Sequence, residues 1–299
     1  MTPNPHSVPG PGTPAAPARA GDGEDLDLAA YLDRLGLGGR VPEGTALEVL
    51  TAVHRAHLVA VPFENIDPVA GTVPSLALAD IQDKLIRRRR GGYCFEQNTL
   101  LAAALEALGF SVRRLAARVV LGTDRFDSRP LTHMALLVEV EGEPLPYLAD
   151  VGFGTIGALP EPVPLTVDAE HHAHGRRHRL ARTRAEDASL DTWVLQAYGP
   201  DGWVSQYVFT TEPVPQPDRV LANWYVATHP RSPFNRRLGI QHTTHDRHYS
   251  LFADEGGARA ELTVTYLDGR TEVRVVTGTE DVLRCLVEDM GLPQEVLAH

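Results

Sequence analysis

Near residue 110 the hydrophobic pattern of the chain changes period, and this limits the fold more than any other feature. From Asp25 to Leu108 apolar residues recur at near-helical spacing. Leu26, Ala29, Tyr31, Leu32 and Leu35 form one stripe before Gly36; Leu47, Leu50, Val53, His54 and His57 form a second that ends at Pro62. A third helix is expected from about Leu76 to Arg89, stopped by Gly91-Gly92. A fourth starts near Cys94, with Leu101, Leu105 and Leu108 as its stripe. After Phe110 the period is two. Val112–Val120, Thr132–Val140, Pro146–Val151, Trp193–Ala197, Trp203–Phe209, Leu262–Tyr266 and Arg270–Val276 read as strands, and Asp281–Met290 closes the chain as a helix. Helices followed by strands predict an α+β fold, not an alternating βαβ one.

The 299 residues allow two or three domains. Residues 1–23 contain six prolines and no large apolar cluster, so they read as a disordered tail. A net charge of −11 argues against a nucleic-acid partner, which needs clustered Lys and Arg. Two cysteines exclude a disulfide scaffold and a four-cysteine zinc site. No apolar run reaches the ~18–20 residues of a spanning helix, which excludes a membrane partner of that kind. The N-terminus lacks a charged-then-apolar signal pattern, so a cytoplasmic location is expected.

Three patterns point elsewhere and fail on context. Gly152-Phe153-Gly154-Thr155-Ile156-Gly157 spells a dinucleotide fingerprint, but Pro160, Pro162 and Pro164 follow, and they forbid the helix that must hold the pyrophosphate. It reads as a glycine turn after a strand, whose amides can approach a phosphate-bearing ligand. His171, His172, His174 and His178, and separately His242, His245 and His248, lack the carboxylate or thiolate partners of a metal site. They read as solvated loop histidines, with no metal expected. The run Arg87–Arg90 reads as a solvated helix end.

The two cysteines differ. Cys285 shares a helical face with Val282 and Leu286 and reads as a buried hydrophobe. Cys94 follows Arg90-Gly91-Gly92-Tyr93 and opens a helix, where the N-terminal dipole favours a negative group. Downstream, a turn centred on Glu141-Gly142 sets His133 directly across a hairpin from Asp150, on the same face. Leu148, Val151 and Phe153 flank Asp150, so it is expected to be buried, and a buried carboxylate wants a partner. Cysteine, histidine and aspartate together suggest nucleophilic acyl chemistry. Papain-like and caspase-like local signatures are both missing.

The stretch Arg90-Gly91-Gly92-Tyr93-Cys94-Phe95-Glu96-Gln97-Asn98 resembles the active-cysteine motif of the arylamine N-acetyltransferases. Val61-Pro62-Phe63-Glu64-Asn65-Ile66, Thr132-His133-Met134, Ala149–Gly154, Asn223-Trp224-Tyr225 and Ser232-Pro233-Phe234 agree in order. The resemblance covers roughly residues 25–299. It implies a helical domain (24–111), a β-barrel domain (112–213), and an interdomain segment with an α/β lid (214–299) around a papain-like cysteine core. It implies acetyl transfer from acetyl-CoA to an arylamine, hydrazine or hydroxylamine through an acetyl-cysteine, with Cys94 as nucleophile, His133 as base and Asp150 as its orienter. Phe63, Thr132 and Phe209 are then acceptor-pocket residues, and Gly152, Phe153 and Gly154 lie near the coenzyme A phosphates. The partners implied are small-molecule amines or hydrazides, with monomer and homodimer both open. A related role, an amide synthase joining a polyketide chain to an arylamine, uses the same motifs. The His- and Arg-rich stretch 171–179 departs from the family pattern.

Overall fold

The computed structural model describes residues 26–183, 191–254 and 256–294; the N-terminal tail read above, residues 1–23, lies outside the described residues. Seven α-helices are described: α1 (Leu28–Arg34), α2 (Ala46–Ala60), α3 (Ile66–Val69), α4 (Leu78–Ile81), α5 (Cys94–Ala107), α6 (Gln216–Thr228) and α7 (Thr279–Glu288). The helix expected over 76–89 begins as α4 and continues as a π-helical segment over Gln82–Arg87. Helix α2 is started by a reciprocal cap, in which Thr45 and Glu48 bond each other's backbone N–H groups.

Among the described residues thirteen strands form two antiparallel sheets. Strands β2 (Ser111–Val119), β3 (His133–Glu139), β4 (Tyr147–Ala149), β5 (Val163–Pro164), β6 (His171–Ala173), β7 (Arg176–Thr183), β8 (Thr192–Gly199) and β9 (Gly202–Pro213) curl into a nearly closed barrel in the order 5-4-3-2-9-8-7-6. Strands β1 (Phe63–Glu64), β10 (Gly239–Thr243), β11 (Arg247–Ala253), β12 (Arg259–Tyr266) and β13 (Thr271–Thr277) form the second sheet in the order 1-10-11-12-13. The two-residue β1 belongs to the helical part of the chain and pairs with β10, so the lid sheet begins inside the first third of the sequence. The α+β expectation holds.

Helices and barrel share one apolar core, including Tyr31, Leu50, Leu101, Leu105, Leu136 and Leu195. The lid has its own, in which Ile240, Leu251 and Leu262 meet Val282 and Leu286 of α7. Cys285 packs there as expected, and burial pushes its thiol pKa up. No helix among the described residues is long and apolar enough to cross a membrane.

Two of the loop readings need correction. The 171–179 stretch is a β-hairpin: Ala173 pairs with Arg176, and His174 and Gly175 both take positive φ, as a two-residue type I′ turn requires. His178 is buried on β7 and His248 on β11, so neither is a solvated loop residue. No metal-binding group of His, Cys, Asp or Glu occurs among the described residues.

Candidate active site

Cys94 is the first residue of α5, and Gly91 sets its approach. A Cβ on Gly91 would lie 2.2 Å from the Pro62 carbonyl oxygen, so only glycine lets this turn pass so close to the segment before β1. Beneath the turn lies a buried charge network. Lys84 Nζ contacts Glu96 Oε1 at 2.7 Å and Asp67 Oδ2 at 2.6 Å; Arg90 contacts Glu64 at 2.7 Å and Asp67 at 2.8 Å. Arg90 therefore leaves the solvated run to which the sequence assigned it, whereas Arg87, Arg88 and Arg89 are exposed. Burial raises the Glu96 carboxyl to about 7 against the opposing pull of Lys84. Its other oxygen accepts the Tyr93 N–H at 3.2 Å and so ties the network to the turn.

Removing Lys84 leaves the buried Glu64 and Glu96 and the half-buried Asp67 with Arg90 as the one remaining cation of this network, in contact with Glu64 and Asp67 only. Lys84→Met is expected to destabilise the protein by about 3–5 kcal/mol. The check is urea unfolding against the parent; a loss below about 1 kcal/mol would show the charges to be independent of one another.

His133 begins β3 and Asp150 follows β4. Asp150 Oδ2 lies 2.7 Å from His133 Nε2, and both side chains are buried. The register differs from the sequence expectation. Leu136 pairs with Ala149 and Val138 with Tyr147, so Asp150 sits two positions away from direct opposition to His133. A two-residue offset preserves the face, because side chains alternate with period two. The contact therefore survives as a diagonal one.

Asn98, one helical turn beyond Cys94, completes the carboxylate's surroundings. Its Nδ2 donates to Asp150 Oδ1 at 2.8 Å and to the Met134 carbonyl at 2.6 Å, while its Oδ1 accepts the Val151 N–H at 3.1 Å. Asp150 Oδ1 also accepts the Gly152 N–H at 2.9 Å, and the backbone N–H of Asp150 donates to His54 Nε2 at 3.1 Å. Burial pulls His54 down to about 4, which keeps its imidazole neutral and able to accept. Burial works against charge on both members of the pair. Even so, Asp150 is held below the usual carboxylate range by His133, Asn98 and Gly152. His133 is pushed up to about 10, with Asp150 first and Cys94 next among the groups that overcome its desolvation. With Nε2 taken by Asp150, Nδ1 is the ring nitrogen available to Cys94.

Gly152 is packed against the backbone of Cys94. A Cβ there would fall 2.6 Å from Cys94 Cα and 3.0 Å from Asn98 Nδ2. The glycine turn is thus explained by contact with α5, not by a dinucleotide.

A cleft of about 950 Å³ opens over these residues, and Cys94, 6% exposed, reaches it. Phe63, Thr132, His133, Gly152 and Phe153 line it; Gly154 lies behind, against the Phe63 ring. Phe209 does not line it. It is 2% exposed in the barrel core beside Tyr207, two residues along β9 on the same face. The aromatic wall is completed instead by Phe234, whose ring centroid is 5.9 Å from that of Phe63. Asn65 fixes this segment by donating to the Phe234 and Arg237 carbonyls, both at 2.8 Å. Tyr93 likewise donates to Asn223 of α6. Arg118, Arg129, Arg231, Arg236 and Arg237 surround the cleft, with Asp127 as the one acid in its lining.

Known proteins share this arrangement of elements. A family model described as N-acetyltransferase matches residues 46–296. The arylamine N-acetyltransferase of Mycolicibacterium smegmatis is 38% identical over 271 residues, which cover 89% of this chain and 92% of that one. The solved arylamine N-acetyltransferase of Nocardia farcinica superposes with a TM-score of 0.82 at 38% identity, over 95% of this chain and 96% of its own. The Mycobacterium marinum enzyme, solved in complex with CoA, gives 0.79 at 34% identity, over 91% and 95%. With likeness of this extent in both sequence and backbone, the chain belongs to the arylamine N-acetyltransferase family and is an acyltransferase.

Proposed function

We propose that the protein moves an acetyl group from acetyl-CoA to an arylamine, hydrazine, hydroxylamine or hydrazide by a two-step exchange at Cys94. The observation that carries this reading is the placement of Cys94 at the start of α5 beside an imidazole whose far nitrogen is held 2.7 Å from Asp150. In the first step the Cys94 sulfur attacks the thioester carbonyl, its proton rests on His133, and CoA leaves as a thiol after taking a proton. In the second, an unprotonated amine attacks the acetyl-cysteine, His133 takes the nitrogen's proton, and the Cys94 sulfur is released. Asp150 orients the imidazole and stabilises its cation throughout.

Phe63, Phe153 and Phe234 suit a flat aromatic acceptor, with Thr132 at the same opening. The arginines suit the phosphates of the donor, and the close-packed Gly152-Phe153 turn lets the donor's thioester end approach Cys94. Residues 24–111, 112–213 and 214–299 serve in this proposal as helical, barrel and lid domains. The reaction is placed in the cytosol, consistent with two free cysteines.

The test is discharge of the adduct. Acetyl-CoA alone should give one acetyl group per chain by intact mass, and addition of a small aniline or hydrazide should remove it while CoA release accelerates. An adduct that no amine or hydrazide discharges would overturn the acceptor assignment. Turnover of a long acyl thioester carrying its own aromatic amine would then identify an amide synthase.

A further inference from the structure

A second, much smaller void lies away from the cleft, at the seam where α2, the β6–β7 hairpin and the turn between β10 and β11 meet. It has about 10 Å³ of space, room for one water-sized particle, and its lining includes Arg55, Pro160, His174, Arg176, Thr243 and His245. The helical segment, the barrel and the lid each contribute to it.

The charges around it do not balance. Arg176 makes no ion pair among the described residues, and its Nη1 is fully buried with no hydrogen-bond partner from the protein. Arg55 pairs through Nη2 with Glu161, but its Nε is likewise buried and unpartnered. Glu161 is also shared with His174, at 3.3 Å, so the one carboxylate at this seam is divided between Arg55 and His174 and none is paired with Arg176 among the described residues. Burial draws the Arg176 guanidinium down to about 10, which leaves it charged at neutral pH. Burial, with the Arg176 charge next, also holds the adjacent His248 down to about 3 and hence neutral. Arg176 is half-buried as a whole, but a cation partly withdrawn from water without a counter-charge is costly, and two buried, unpartnered N–H groups on residues that line one space ask for an acceptor.

We propose that this seam binds one monatomic anion of the chloride class, held by Arg176 Nη1 and Arg55 Nε, and that the anion fastens the barrel hairpin and the lid turn to α2. Water would accept the hydrogen bonds but leave the charge uncompensated. A phosphate or sulfate is too large for the void. The site is independent of the acyl-transfer reading, since none of its residues touches Cys94, His133 or Asp150 among the contacts described above.

The experiment follows thermal unfolding of the full chain at fixed ionic strength as sodium gluconate is replaced by sodium chloride. The unfolding midpoint should rise saturably, by about 2–4 °C at roughly tenfold excess over the dissociation constant. Arg176→Met should abolish that rise. Crystals grown in sodium bromide should show one anomalous peak beside the Arg176 guanidinium, a readout on the unsubstituted protein that stands even where the variant does not fold. An unchanged midpoint in chloride, an equal chloride response in Arg176→Met, or a seam without bromide would each overturn the proposal.

Discussion

Cys94→Ala is expected to form no acetyl adduct and to lose roughly 10⁴–10⁶-fold in kcat/KM, the loss typical of deleting a covalent nucleophile. The side chain is small and sits at the edge of the cleft, so the thermal midpoint should stay within a few degrees of the parent. Cys285→Ser is the control. Cys285 lies in the lid core beside Arg274, remote from the cleft lining, and the adduct should form in that variant as before. An acetyl group retained in Cys94→Ala, or lost in Cys285→Ser, would move the chemistry to the other cysteine.

Asp150→Asn keeps the shape of the site and removes the charge that holds the imidazole cation. Expected is a loss of about 10³–10⁴-fold in kcat/KM, with His133 changing from doubly protonated to neutral at pH 7 in its ring nitrogen NMR signals. In the parent, burial disfavours the His133 cation, but Asp150 outweighs it and lifts the pKa to about 10. A value raised above the free imidazole's 6.5 stabilises the fold fully below pH 6.5, and that contribution is lost as pH rises through about 10. Asp150 has the opposite sign. Its depressed value contributes above the free carboxyl's 3.8 and is lost as pH falls through the depressed value. The asparagine variant should lack both limbs of this dependence. A loss below tenfold, with His133 still doubly protonated, would count against the pair acting as one unit.

Much of the site was legible in the sequence because its parts lie at element boundaries with strong local signals. The Gly91-Gly92 stop and the apolar stripe after it place Cys94 at a helix start, and alternation in the hairpin puts His133 and Asp150 on one face. The turn itself was less legible. The connection between β3 and β4 runs longer than a two-residue turn at Glu141-Gly142 allows, so the register moved by two while the face stayed. Asn98 carried a readable signal that was not used: it lies four residues after Cys94, on the same helical face. Phe209 and Phe234 could not be told apart by local pattern. Which of them reaches the cleft depends on Asn65 holding carbonyls about 170 residues away. Strands β7 and β11 escaped because His and Arg occupy inward positions beside Leu, which hides the alternation.

The distribution of charge over the surface bears on how fast the donor arrives. A chain of net charge −11 repels polyanions in general, yet five arginines and one aspartate line the cleft over Cys94. Such a local positive potential, set in a negative surround, focuses a multiply charged thioester onto the opening and does nothing for an uncharged aniline. Encounter with the donor should therefore slow as added salt shortens the Debye length from about 10 Å toward 3 Å. The second-order rate constant for acylation should fall with ionic strength, and that for discharge by aniline should stay flat. Two substrates meeting at one sulfur would thus be governed by different long-range forces, with the ionic medium setting which half-reaction limits turnover.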